Sequence, residues 1–241
     1  MDIALNVLPR PKPGREAEFE TLLDLLDAGR WGNPPEPNPY MIEKRSGMLG
    51  LWRKKQVFDW DTAARRFDDI SDDPGITLNA PVVGKHDEAD AWARQAVAKG
   101  ELDAKTQAEA LTKFKGLYVF EMLPVCDGFP VYSPNIWDKR YDRSSFYGSI
   151  LEAYEAQIGA ELLETMHGPL LGTELAEWAV KLRNWADEFA KTLPNKDIIG
   201  NRDFVSDDDG GVETCLHAVD QAARWAAYWS ALGHGIEPVF Y

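Results

Sequence analysis

The chain is poor in the residues that build covalent staples and metal centres. It has two cysteines, Cys126 and Cys215, and four histidines, His86, His167, His217 and His234, in 241 residues. Two widely separated cysteines make neither a disulfide framework nor a zinc-ligand pair. The histidines show no His-x-x-x-His spacing, so the familiar helical zinc sites are excluded, and no metal or cofactor is implied. No stretch approaches the ~18–20 apolar residues of a membrane span. The opening "MDIALNVLPRPKPG" lacks a basic leader and a long apolar core, so it does not read as a secretory signal. These absences lead to the expectation of a cytoplasmic protein with free thiols and no membrane partner. Nucleophile-elbow, P-loop, dinucleotide-binding and zincin motifs are absent too, which removes the familiar routes to an enzyme without excluding one.

Positive charge is also scarce. Lys and Arg number 26 against 40 Asp and Glu, a formal net charge of −14. The deficit is uneven: residues 1–85 hold 12 basic against 14 acidic groups, and residues 86–241 hold 14 against 26. Such a field repels phosphate backbones and argues against a nucleic-acid partner; it attracts basic proteins and speeds their encounter. Acidic surfaces also serve plain solubility.

What the chain has in plenty is tryptophan, nine residues, within a composition that is 44% hydrophobic. Large rings bury much area each and imply a substantial core. "DIALNVLP" alternates as a strand, and "REAEFETLLDLLDAG" puts Phe19, Leu22, Leu23 and Leu26 on one helical stripe that Gly29 is expected to stop. "WGNPPEPNPY" reads as a proline-rich loop. "YMIEKRSGMLGLW" reads as two short strands about a Ser-Gly turn, with basic residues guarding an edge. Residues 60–70, 87–99 and 103–114 read as helices, the last capped by Asp103. "GITLNAPVVG" and "GLYVFEML" read as strands. From residue 144 onward helical spacing dominates, with a break at Gly159. The cleanest helix carries Leu175, Trp178, Leu182, Trp185 and Phe189 on one stripe. The last, residues 211–232, has two adjacent apolar lines; that width suits a central helix or a homo-oligomer contact through it. The expected class is α+β, with a small, mainly antiparallel sheet packed with a helix-rich C-terminal two thirds. The expected organisation is one domain over 1–241, with a soft subdivision near residue 85.

Chemistry concentrates in "PVCDGFPVYSPNIWDKRYDRSSFYGSI". Asp127-Gly128 signals a tight hairpin, with Pro130 on an edge strand and Cys126 as a packing residue. Downstream, Lys139, Arg140 and Arg143 precede a helix start at Ser144 or Ser145. Cations, hydroxyls and helix N–H groups there would form an anion-binding site. The plainer reading pairs the arginines with Asp138 and Asp142. Glu121 is the one ionisable group in an apolar strand and is a candidate general acid or base; His167 is the nearest histidine to this region. His217, flanked by Glu213 and Asp220, reads as part of a solvated helix face rather than a metal site. The aspartates of "SDDDGGVE" read as partners of the following helix's positive end rather than a calcium loop.

Two functions follow as expectations. The first is an acidic binding protein with a basic protein partner, of the immunity or inhibitor type. The second is a hydrolase or transferase acting on a small anion through Glu121, Arg140, Arg143, Ser144 and His167.

Overall fold

Strand β1 (Ile3–Val7) buries consecutive residues, Ile3, Ala4 and Leu5, on both of its faces. A strand so buried belongs inside a sheet, and β1 is the middle of three. The computed structural model describes residues 2–30, 36, 38–46, 53–133, 144–194, 197–203 and 211–241. They form two units: Arg10–Asp73, and Met1–Pro9 together with Pro74–Tyr241. Residues 31–35 and 37 of the proline-rich loop fall outside the described residues.

In the unit of residues 10–73, β2 (Arg10–Pro11) pairs antiparallel with β5 (Ser71–Asp72) and ties the ends together. Between them come α1 (Glu16–Arg30), the antiparallel hairpin of β3 (Met41–Ser46) and β4 (Arg53–Phe58), and α2 (Trp60–Ile70). Helix α1 runs through Gly29 to Arg30 and buries Phe19, Leu22 and Leu25. The ring of Phe19 stacks on Phe67 of α2 at 4.7 Å. Asp59 caps α2, its carboxylate accepting from the Thr62 N–H and hydroxyl. The expected hairpin exists, but its second strand is "RKKQVF", so Met41 faces Phe58 and exposed Lys44 faces exposed Lys55. "MLGLW" lies outside the described residues.

The other unit resumes after β1 with α3 (Pro74–Thr77), where a strand was expected; the chain then turns at Asn79, with φ at 54°. Helices α4 (Asp87–Ala98) and α5 (Gln107–Lys113) pack over a satellite core of Val83, Ala89, Ala93 and Val119. Thr106, not Asp103, caps α5; Asp103 instead pairs with Lys113. "GLYVFEML" is not a strand. The carbonyls of Pro81 and Leu117 accept from Val119 and Val83, but Pro81 has no N–H to return, and the contact stops at one bridge, Val82 with Tyr118. A single 3-10 turn, Phe120–Met122, follows.

Beyond residue 143 come β6 (Ser145–Tyr147), α6 (Ser149–Glu152), α7 (Glu155–Ile158), α8 (Ala160–Glu164), α9 (Gly172–Ala190), α10 (Val212–Ala231) and β7 (Ile236–Phe240). Two of these seven are strands, where the residue spacing had indicated helix throughout. Gly159, at φ 94°, separates α7 from α8 as expected. Strands β6, β1 and β7 form the sheet in that order, both pairings antiparallel, with Leu5 opposite Phe146 on one side and Pro238 on the other. Helices α9 and α10 pack on each other, and α10 is central: every residue from Thr214 to Ala223 is buried, as are Trp225, Ala226 and Trp229. The protein is α+β, a small antiparallel sheet with a helix-rich C-terminal part. Among the described residues no helix is long and apolar enough to cross a membrane.

Candidate anion-binding cavity

The polar line of α10 is covered, not solvated. Residues three and four apart share a helix face, so His217, Asp220, Gln221, Arg224 and Tyr228 run down one side. His217 and Asp220 are fully buried, and Gln221 is 4% exposed. The two apolar lines already occupy the rest of the circumference, so this side also meets protein. What meets it is irregular backbone, residues 125–132 and 197–203, and irregular backbone needs partners for its polar groups.

The Asn201 carbonyl is the meeting point. It lies 2.8 Å from Gln221 Nε2, 2.7 Å from Arg224 Nη2 and 3.1 Å from His217 Nε2. The Tyr132 hydroxyl lies 2.9 Å from His217 Nδ1. A neutral ring with its proton on Nε2 satisfies both contacts. Burial holds the His217 pKa below its ordinary 6.5, partly opposed by the Asn201 carbonyl and Asp220. Burial likewise pushes the Tyr132 phenol up to about 12.

One turn along, Asp220 collects two hydrogen-bond donors and a further cation. Arg183 of α9 bonds Oδ1 at 2.5 Å and the Gly200 N–H bonds Oδ2 at 3.0 Å. Arg224 Nε lies 3.1 Å from Oδ2, close enough for an ion pair but too oblique for a hydrogen bond. Arg224 Nη1 reaches Asp127 Oδ1 at 3.3 Å, and Arg202 pairs with the same oxygen.

Asp127 sits in a tight turn closed by the Phe129 N–H on the Cys126 carbonyl. The expected turn is there, but no strands flank it, and Gly128 does not need positive φ. Its reason is space: a Cβ there would enter the Tyr228 ring. The Trp229 indole N–H donates to the Gly128 carbonyl at 3.1 Å and pins the turn to α10.

Between this turn, Arg202 and α10 lies a cavity of about 200 Å³. Its polar wall is Cys126, Asp127, Arg202, Gln221 and Arg224; Val125, Phe129, Pro130 and Val131 make the apolar wall. Arg202 is half-exposed and spends one nitrogen on Asp127, and most of its five N–H donors meet no acceptor among the described residues. The wall carries two guanidinium groups against one carboxylate, in a chain of net charge −14.

The residues nominated from sequence stand elsewhere. Lys139, Arg140 and Arg143 lie outside the described residues, as do the aspartates 207–209. Ser144 and Ser145 are buried but do not start a helix. Ser145 opens β6, and its hydroxyl bonds Asn6 Oδ1 of β1 at 2.5 Å. Ser149 is the hydroxyl at the helix start, accepting from the Ile3 N–H at 2.6 Å. Glu121 is partly buried in the Phe120–Met122 turn rather than in a strand. His167 meets Glu152 at 3.0 Å on the surface. Among the described residues no group of three or more His, Cys, Asp or Glu side chains has the arrangement of a metal site.

Comparison of the chain with protein-family models, curated proteins and solved structures finds no match.

Proposed function

We propose that the protein binds a small anionic ligand with an apolar portion in the Arg202–Arg224 cavity. The observation that supports this reading is the open guanidinium of Arg202, set beside Arg224 on the wall of a cavity in a strongly acidic chain. A carboxylate or phosphate would take the free N–H donors in charge-assisted hydrogen bonds. Val125, Phe129 and Pro130 would cover the rest of a ligand small enough for about 200 Å³.

Titration calorimetry with benzoate, inorganic phosphate and neutral benzamide, at constant ionic strength, tests the reading. An anion should bind and benzamide should not, and Arg202→Gln should weaken the anion on the order of tenfold. Equal binding of benzamide, or unchanged anion affinity in Arg202→Gln, overturns it.

A second reading rests on the charge. Residues 86–241 carry twelve of the fourteen net negative charges, and such a surface favours a basic protein partner, of which an immunity or inhibitor role is one form. A captured basic partner whose affinity falls with salt would support it; a complex indifferent to salt would count against it. Both cysteines are free, which fits a cytoplasmic location.

A further inference from the structure

Residues 200–203 are fastened to the molecule by side chains rather than by backbone. Among the described residues their backbone–backbone bonding is local, from the Asn201 N–H to the Ile198 carbonyl. Ile198, 3% exposed, anchors the start of the stretch in the core. The polar ties to other elements run to Asp127 and to four side chains of α10, at 217, 220, 221 and 224, which share one helix face. His217, Gln221 and Arg224 hold the Asn201 carbonyl, Asp220 holds the Gly200 N–H, and Arg202 reaches Asp127. A stretch tied in this way can lift without breaking a sheet or a helix.

His217 is the one histidine among those ties, and a second proton has no good place on its fully buried ring. With the first proton on Nε2, facing the Asn201 carbonyl, Nδ1 accepts from the Tyr132 hydroxyl. A proton on Nδ1 turns that acceptor into a donor, and the hydroxyl must give up its donation to the ring. The charged groups set around the ring are Asp220 and Arg224 on α10, Arg183 of α9 through Asp220, Asp127 through Arg224, and Arg202. Asp220 already serves Arg183, Arg224 and the Gly200 N–H. Burial therefore prevails over the Asn201 carbonyl and Asp220, and the closed ring takes its second proton less readily than a ring in water.

We propose that His217 is a pH-operated latch: residues 200–203 lie closed on α10 while the ring is neutral and lift from it in mildly acid solution. Lifting uncovers Nε2, and water solvates the cation that the closed packing refuses. Arg202 lines the cavity with Gln221 and Arg224, so the cavity wall opens with the latch. This follows whatever the cavity holds, and it stands apart from the anion-binding reading. Above pH 6.5 the open and closed states both leave the ring neutral. Below it the open state gains on the closed one by at most about tenfold per pH unit, until the lowered value is passed.

Amide hydrogen exchange followed by NMR, corrected for the intrinsic rate at each pH, tests the latch. The Gly200 N–H reports residues 200–203, and the Ala179 and Leu182 N–H groups, buried on α9, report global unfolding. Gly200 should be less protected than α9 at every pH, because it exchanges through local opening. Its protection should fall several-fold between pH 7.5 and pH 5.5, about tenfold at the limit of a closed ring that stays neutral. His217→Gln, which has no proton to gain, should hold the Gly200 protection level over that range. Protection of Gly200 equal to that of α9 means that the stretch moves only with the whole fold, and overturns the latch. A less protected Gly200 with no pH dependence, or the same dependence in His217→Gln, overturns the role of His217. If the variant does not fold, the two comparisons within the wild-type chain still decide.

Discussion

Arg183 on α9 reaches 2.5 Å to Oδ1 of Asp220 on α10, and the carboxylate it meets is fully buried. One charge thus crosses the seam between the two longest helices and meets its partner out of water. Arg224 and the Gly200 N–H hold the other oxygen of Asp220. Removing that carboxylate strips the partner from two arginines at once. Asp220→Ala should therefore cost about 3–5 kcal/mol in urea unfolding. Arg183→Gln should cost clearly less, because Gly200 and Arg224 still serve Asp220. Equal losses would show that the seam depends on packing rather than on this carboxylate.

His217 makes stability depend on pH in a set direction. Burial holds its folded-state pKa below 6.5. Above 6.5 folded and unfolded chains both leave it neutral, and it contributes no pH dependence. As pH falls below 6.5 the unfolded chain takes up a proton that the folded chain refuses, so stability falls until the lowered value is passed. The groups set around the ring are Tyr132, Asp220 and Arg224. The melting temperature should drop between pH 7 and pH 5.5, and His217→Gln should flatten that drop. An identical slope in the variant would remove His217 from the account.

Gly128→Ala would push a methyl group into the Tyr228 ring. The expected loss is about 1–3 kcal/mol. In Tyr228→Ser the space is open, so adding Gly128→Ala there should cost much less. A double-mutant cycle measures that coupling; additive losses would mean that the turn itself, not the ring, rejects the methyl.

Ser145→Ala should cost about 1 kcal/mol, the worth of its bond to Asn6 across β6 and β1. Anion binding should not change. Lost binding with intact stability would return Ser145 to the ligand site that its sequence context indicated.

The long helices were legible because their signal is local. Leu175, Trp178 and Leu182 repeat at helical spacing, and all three are buried on α9. The hairpin of the 10–73 unit was legible as a pair of strands but not in register, because alternation alone does not say which residue faces which. Strand β6 was hidden: three residues, Ser145 to Tyr147, sit beside Ile150, Leu151 and Tyr154, whose spacing reads as helix. Its pairing with β1 spans most of the chain, and no local pattern encodes that. The cavity failed to show for the same reason. Asp127 and Gly128 announce a turn, Arg202 stands in a polar stretch and Arg224 between Ala223 and Trp225; only the fold makes them adjacent. One signal was available. On α10 two apolar lines flank His217, Asp220 and Gln221, and a helix apolar on both sides of a narrow polar line has little room left to face water.

Strand β1 has a timing consequence. Its partner β7 is made only after every residue between Val7 and Ile236, with Ile3 opposite Phe240 and Val7 opposite Ile236. The sheet thus waits on the synthesis of everything between its strands, and contacts of such sequence separation form slowly. Residues 10–73 pair their own ends through β2 and β5 and need no such delay. During synthesis the cell should therefore hold, for a time, a chain with one region already closed and an unpaired apolar segment ahead of it, which is the kind of nascent species that chaperones recognise.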